Sequence, residues 1–177
     1  MSSRQTLTLT DRQVVAAWAA DCAERVLPLF EAEATDQRPR DAIRRARAFA
    51  RGELSAADEI RRRFVASRAA LSATTPAAKA AARAAAQAAG VAHMGAHALG
   101  AAAYAVKAAG LAHPGDAGAA ANEVRWQLEH LSEPARRALQ RLPRLGEDSA
   151  GPLGTGLLAS GALGAIITTL QAELATA

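Results

Sequence analysis

Residues 75–110 read TPAAKAAARAAAQAAGVAHMGAHALGAAAYAVKAAG, and their reading decides the fold. Alanine is the best helix former, because it loses no side-chain entropy and buries no polar group. Thr75 has the hydroxyl of an N-cap, Pro76 suits a first turn whose N–H needs no partner, and Gly110 suits a helix-closing residue. About 34 helical residues would extend about 50 Å at the rise of an α-helix, long for a small domain. A bend or break is therefore expected at Gly90 or between Gly95 and Gly100. Methyl side chains let neighbours approach closely but bury little area each, so this segment is predicted to be the central helix, or helix pair, on which the others pack. His93, His97 and Tyr104, spaced i, i+4 and i+11, would share one face of a continuous helix.

Towards the N-terminus, residues 1–9 read as a short tail. Thr10 and Gln13 form a T-x-x-Q capping box, with Leu9 and Val14 placed as a hydrophobic staple. A helical stripe of Val14, Val15, Trp18, Cys22, Val26, Leu29 and Phe30 follows. Pro28 is expected to kink or divide that helix near Leu27. The polar connection DQRPR (residues 36–40) leads into a second helix, with Ile43, Ala46 and Phe49 or Ala50 inward and Gly52 ending it. Ser55 with Asp58 begins a third, expected to carry Ile60, Phe64 and Leu71 on one face and Arg61, Arg62, Arg63 and Arg68 on the others.

Towards the C-terminus, His113-Pro114-Gly115-Asp116 is a turn. The next helix is predicted to turn Ala120 or Ala121, Val124, Leu128 and Leu131 inward, with Trp126 on a different face. Ser132-Glu133-Pro134 starts a short helix that stops before Pro143. Arg144–Pro152 reads as a linker, and Gly151–Ala172 carries no charge. That last segment is apolar enough to raise a membrane span, but its glycines, hydroxyl residues and lack of basic or aromatic flanks favour a buried or partner-seeking helix. No β-pattern occurs. The expectation is one all-α fold of about seven to eight helices around the alanine-rich centre, comprising residues 10–143, then 144–177 as linker and uncharged C-terminal helix.

Half of the 177 residues are hydrophobic but only 3% are aromatic, so close helix packing must supply what bulky side chains do not. A net charge of +4 is too small for a dedicated nucleic-acid binder, and no aromatics interleave the arginines to stack bases. A single cysteine, Cys22, excludes an intramolecular disulfide and suits a reducing compartment. No apolar run marks a secretory leader at the N-terminus. A cytoplasmic bacterial protein is the expectation.

Among candidate chemical groups, His93-x-x-x-His97 has the spacing of a shared metal site. The glutamate of an H-E-x-x-H motif is replaced by Met94, however, and a third ligand would have to come from Glu123 or Asp116 on another segment. No metal and no cofactor are expected. Buried, hydrogen-bonded histidines that set helix packing are the simpler reading, with a pocket lined by His93, His97 and Tyr104 as the alternative. Cys22 lies in an apolar stripe, and no nucleophile elbow, P-loop or dinucleotide fingerprint occurs. Arg38, Arg40, Arg44, Arg45, Arg47 and Arg51 make a basic helix face, partly paired with Asp36, Asp41 and Glu53, better suited to an acidic protein than to DNA. In the tight D-x-R-P-R connection Pro39 limits the backbone, which makes Asp36, Arg38 and Arg40 candidate binding residues.

Several of these pieces occur together in a known family. They are Asp21–Phe30 (DCAERVLPLF), Asp36-x-Arg38-Pro39-Arg40-x-Ala42-Ile43, Arg51-Gly52-Glu53, Ala92-His93-x-x-x-His97-Ala98 with Ala102-Ala103-Tyr104-Ala105, and Glu123-x-x-Trp126-Gln127 with Leu131-x-x-Pro134. From Trp18 to Leu142 the chain resembles the immunity-5-like, all-α domain of bacterial polymorphic toxin systems. Phe49 departs from it, standing where a tryptophan is usual. The resemblance implies a non-enzymatic protein that binds a cognate toxin and covers its active site. The alternative is a small-molecule-binding or enzymatic helical protein that uses the His93, His97 and Tyr104 face. A homo-oligomer through the C-terminal segment is the further partner expectation; nucleic acid and membrane are not expected.

Overall fold

The alanine-rich stretch folds as two helices. In the computed structural model, which describes residues 3–62 and 65–176, the first of them begins where Thr75 Oγ1 accepts the backbone N–H of Ala78 at 3.2 Å. Eight α-helices occur among the described residues: α1 (Leu9–Glu31), α2 (Arg38–Ala50), α3 (Ala56–Arg62), α4 (Pro76–Gly90), α5 (His97–Ala112), α6 (Ala119–Glu129), α7 (Glu133–Gln140) and α8 (Gly161–Thr176). Short 3-10 segments span Ala66–Ser72 and Leu157–Ala159, and no strand occurs among the described residues. The all-α expectation holds, and the predicted break falls between Gly90 and His97.

α4 and α5 pack on each other, and α1 crosses both. α2 lies on α1 and α4, α6 and α8 on α5, and α7 on α1. The shared faces are mostly methyl groups: Ala78, Ala81, Ala82, Ala84 and Ala85 of α4 against Ala98, Ala101, Ala102, Ala103 and Ala105 of α5, all fully buried. A buried methyl contributes on the order of 0.8 kcal/mol, against about 1.5–3 for a large apolar side chain. The bulky share of the core comes from the surrounding elements: Leu27 and Phe30 of α1, Phe49 of α2, Leu139 of α7, Ile167 and Leu170 of α8. Pro28 does not interrupt α1, which runs on to Glu31. It sits in the last turn, so the one bond its missing N–H forgoes and the crowding against the carbonyl four residues earlier fall next to the helix end, with only three helical residues beyond it.

The N-terminal segment is not a loose tail. Leu7, with φ +63°, sets the chain across the α4–α5 break, where Gly95 N–H donates to Thr6 O and Ala96 N–H to Gln5 O, both at 3.0 Å. A Cβ on Gly95 would fall 2.5 Å from Leu7 Cδ1, so a larger residue there would displace the Leu7 side chain from the break. Gln5 is fully buried; its side chain accepts from Leu153 N–H at 2.9 Å and donates to Ala150 O. Arg12 closes the same junction from α1 by donating to Ala92 O at 2.6 Å. The N-cap of α1 is therefore Thr8, which accepts from Asp11 N–H at 3.1 Å, and not Thr10. Leu9, expected in a staple, is half exposed on the first turn.

Other expectations change for similar reasons. α3 ends at Arg62 within the described residues, and Leu71 is 87% exposed on the following 3-10 segment. Phe64 and Arg63 lie outside the described residues. α6 turns Glu123 and Gln127 inward, with Val124 and Leu128 only partly buried at the flanks. Arg144–Pro152 is packed rather than free: Leu145 N–H donates to Gln171 Oε1 at 3.0 Å and Gly146 N–H to Leu153 O at 2.8 Å. α8 spends its apolar face within the chain, through Leu163, Ile167, Leu170 and Leu174. No helix among the described residues is long and apolar enough to cross a membrane.

The strap yields a direct test. Gln5→Ala removes a buried side chain that bonds the 148–153 loop, and should lower stability by about 1–3 kcal/mol. Thermal unfolding followed by circular dichroism reads this; a melting temperature equal to the unaltered protein's would show the strap to be dispensable.

Candidate functional site

The arginines of α2 and its C-terminal end form a lattice of separate ion pairs with carboxylates of α1, α2, α3 and the adjoining turns. Asp36 organises the entry to α2. Its Oδ1 accepts Arg38 N–H at 3.0 Å and Arg38 Nε–H at 2.9 Å, and Oδ2 accepts Ser72 Oγ–H at 3.0 Å. The Arg38 guanidinium, ahead of the other partners, holds the Asp36 carboxyl well below the usual carboxylate range, against the opposing effect of desolvation. Pro39 is buried in the first turn, as expected of its fixed φ. Arg40 makes a two-pronged pair with Glu31, Nε to Oε1 at 2.6 Å and Nη2 to Oε2 at 2.7 Å. The side chains of Arg38 and Arg40 remain 38% and 56% exposed, so both are paired and accessible.

The remaining arginines continue the lattice. Arg47 bridges Asp21 at 2.7 Å and Glu24, joining α2 to α1. Arg45 pairs with the buried Glu59, joining α2 to α3. Arg44 pairs with Asp41, and Arg51 with Glu53 across Gly52, whose φ of +75° makes the turn. All six arginines of the basic face thus have carboxylate partners, including Asp21, Glu24, Glu31 and Glu59, which hydrophobic patterning does not single out. Arg62 and Arg68, by contrast, take no carboxylate among the described residues. Between α2 and the 3-10 segment lies a cavity of about 200 Å³, with Arg38, Arg45, Arg62, Val65, Ala66 and Ala89 in its walls.

A second polar group ties α1 to α6. Trp18 Nε1–H donates to Gln127 O at 2.8 Å, and Gln127 Nε2 donates to Ala102 O of α5 at 3.2 Å. Arg25 reaches the buried Glu123 at 3.0 Å and lies 4.0 Å over the Trp126 ring, which also stacks on His130. An i, i+4 pair of inward polar residues escapes a reading that follows apolar stripes alone. Cys22, fully buried beneath this group, has its thiol pushed well up by desolvation, and further by Glu123 and Asp21. It is a core thiol and not a nucleophile.

Tyr104 parts from His93 and His97, which stay neighbours. His93 lies in the α4–α5 break, where a continuous-helix spacing does not apply, and its ring centroid is 6.5 Å from that of His97. His97 Nδ1 is 2.7 Å from Gln87 Oε1, so the neutral ring donates there. A Cβ on Gly90 would meet His97 Cγ at 2.9 Å, so the ring rests directly on the end of α4. Desolvation, with a smaller contribution from His93, pushes the His97 imidazole down to about 4. Tyr104 lies two turns further along α5, buried, with burial raising its phenol against the opposing charge of Arg83. Glu123 is taken by Arg25, and Asp116 accepts Gly118 N–H at 2.8 Å. Among the described residues no three His, Cys, Asp or Glu side chains are grouped to hold a metal.

A family model described as Imm-5 like putative immunity protein matches residues 5–134. The chain belongs to that family. No curated protein and no solved structure matches the chain. The family span begins at the buried Gln5 and ends in the first turn of α7, so it takes in the whole arginine lattice and the Trp18–Gln127 link. In this immunity-family chain α8 falls outside the matched span, although it packs on α5.

The His97 environment predicts a pH response. Its value in the folded chain, about 4, lies below the ordinary 6.5, so the unfolded chain takes up the proton first as pH falls. Stability contributed by neutral His97 is complete above 6.5 and is lost progressively on the way down to about 4. The melting temperature should therefore already fall between pH 6.5 and 5, above the range where carboxylates titrate. His97→Gln should flatten that part of the profile, and an undiminished slope in the variant would exclude His97 as its source.

Proposed function

We propose that this protein neutralises a cognate protein toxin by binding it and covering its active site, using the face formed by α2, α3 and the first 3-10 segment. The observation that carries the reading is the family match over residues 5–134, which contains this entire face. Its chemistry supports the same reading. Occlusion needs a rigid, complementary surface, and here arginines are held in fixed directions by carboxylates while their planar donors stay accessible. Asp36, Arg38 and Arg40 are the proposed contact residues at its edge. A preorganised guanidinium loses less side-chain freedom on binding than a free one. The alternative, a ligand or reaction site at His93, His97 and Tyr104, finds no support: Gln87 takes His97 Nδ1, Tyr104 is buried two turns along α5, and His93 sits in the helix break.

Co-expression with the product of any toxin-domain gene that adjoins this chain's gene tests the proposal. The unaltered protein should restore growth and co-purify with the toxin; failure of both would refute it. Arg38→Ala with Arg40→Ala should weaken toxin binding at least tenfold. The two positions differ in stability: Arg40 lies on an exposed pair, so its loss should leave the melting temperature within about a degree or two, as for most surface pairs. Losing Arg38 also frees Asp36 and should cost more. A double variant with full stability and full protection would remove this segment from the interface.

A further inference from the structure

The first 3-10 segment presents an outward ridge that the lattice leaves unused. A 3-10 helix has three residues per turn, so residues three apart stand in line. Ala66, Ala69, Ala70 and Ala73 are buried against the core, which leaves Val65, Arg68 and Leu71 outward, with Val65 51% and Leu71 87% exposed. Single exposed apolar residues are ordinary. Here two of them flank Arg68, which has no carboxylate partner among the described residues, beside the cavity whose wall holds Arg62, likewise without a carboxylate among them.

Charge distribution points the same way. Residues 36–68 hold ten of the chain's 21 Lys and Arg but only five of its 17 Asp and Glu, so this stretch carries +5 of a net +4. The other arginines described there are matched by carboxylates, so the surplus is felt around Arg62 and Arg68.

We propose that Val65, Arg68 and Leu71 form the docking ridge for the toxin, whose complementary face carries carboxylates around an apolar side chain seated in the cavity beside Arg62. This rests on the toxin-neutralisation reading and names the partner chemistry it requires. The cavity, about 200 Å³ with Ala42, Val65, Ala66 and Ala89 as its apolar walls, has room for one inserted side chain. Carboxylates on the partner would meet the Arg62 and Arg68 guanidiniums as charge-assisted bonds. A second copy of this chain suits the ridge poorly, because two-fold pairing sets the same basic surface against itself.

The test measures binding to the catalytically inactivated product of any toxin-domain gene that adjoins this chain's gene, with Arg68→Glu, Leu71→Asp and, as control, Leu157→Asp. Leu157 is 66% exposed in the second 3-10 segment, away from this surface. Arg68→Glu and Leu71→Asp should each weaken binding at least tenfold with melting temperatures unchanged, while Leu157→Asp binds as the unaltered protein does. Affinity of the unaltered protein should fall as salt rises. Unaffected binding by both ridge variants would overturn the proposal while leaving toxin neutralisation intact. So would a dimer of the unaltered protein that Leu71→Asp dissociates, or capture of the unaltered protein by vesicles of anionic phosphatidylglycerol that Leu71→Asp abolishes. Absence of any binding by the unaltered protein would sink the neutralisation reading and this ridge with it.

Discussion

Everything in this molecule depends on two alanine-faced helices packed on each other and on α1. Methyl faces permit close approach, but they are nearly featureless: an alanine helix turned or slid by a residue meets its neighbour with much the same surface. Cores of uniform side chains lose uniqueness of packing before they lose stability. The chain places directed polar bonds at the edges of the methyl interface, where a shift in register would break them. Arg12 reaches Ala92 O at the helix break, the N-terminal strap pairs with Gly95 and Ala96, and Gln127 bonds Ala102 O while its own carbonyl accepts from Trp18. Each of these bonds has one geometry that satisfies it, so together they select one arrangement among many of similar burial.

The residues that carry the family resemblance are largely these register-setting groups. In DCAERVLPLF, Asp21 and Glu24 accept from Arg47, and Arg25 donates to Glu123. Asp36 with Arg38 fixes the start of α2, and Arg51-Gly52-Glu53 fixes its end. His97 anchors the end of α4 through Gln87, and Trp126 lies beneath Arg25. A buried ion pair gives little net stability, because desolvation offsets attraction, but breaking one partner leaves an uncompensated charge. We read Arg25–Glu123 and Arg45–Glu59 in that light: they act on which helix arrangement forms more than on how stable it is. The same pairs hold Arg38 and Arg40 while leaving both side chains accessible, which is the feature the proposed toxin-binding face relies on.

Helix content, most helix starts and the break in the centre were legible in the sequence, because they follow from propensity and capping over a few neighbouring residues. Thr75, Pro76, Ser55 and Ser132 act where local chemistry places them. The basic charge of residues 36–68 and the lack of a nucleophile motif were equally plain. Other features depended on contacts between distant residues: Gln5 with Leu153, Arg25 with Glu123, and the change from α3 to a 3-10 segment that turns Leu71 outward. His93 and His97 remain neighbours, but across the break between α4 and α5 and not along one continuous helix, which the i, i+4 spacing alone did not reveal. Local sequence determined which segments are helical and what charge they carry, because those energies are settled within a turn or two. Which polar residues face inward, and which apolar ones are left outside, was decided only when the helices met, because an alanine surface does not say which partner it will take.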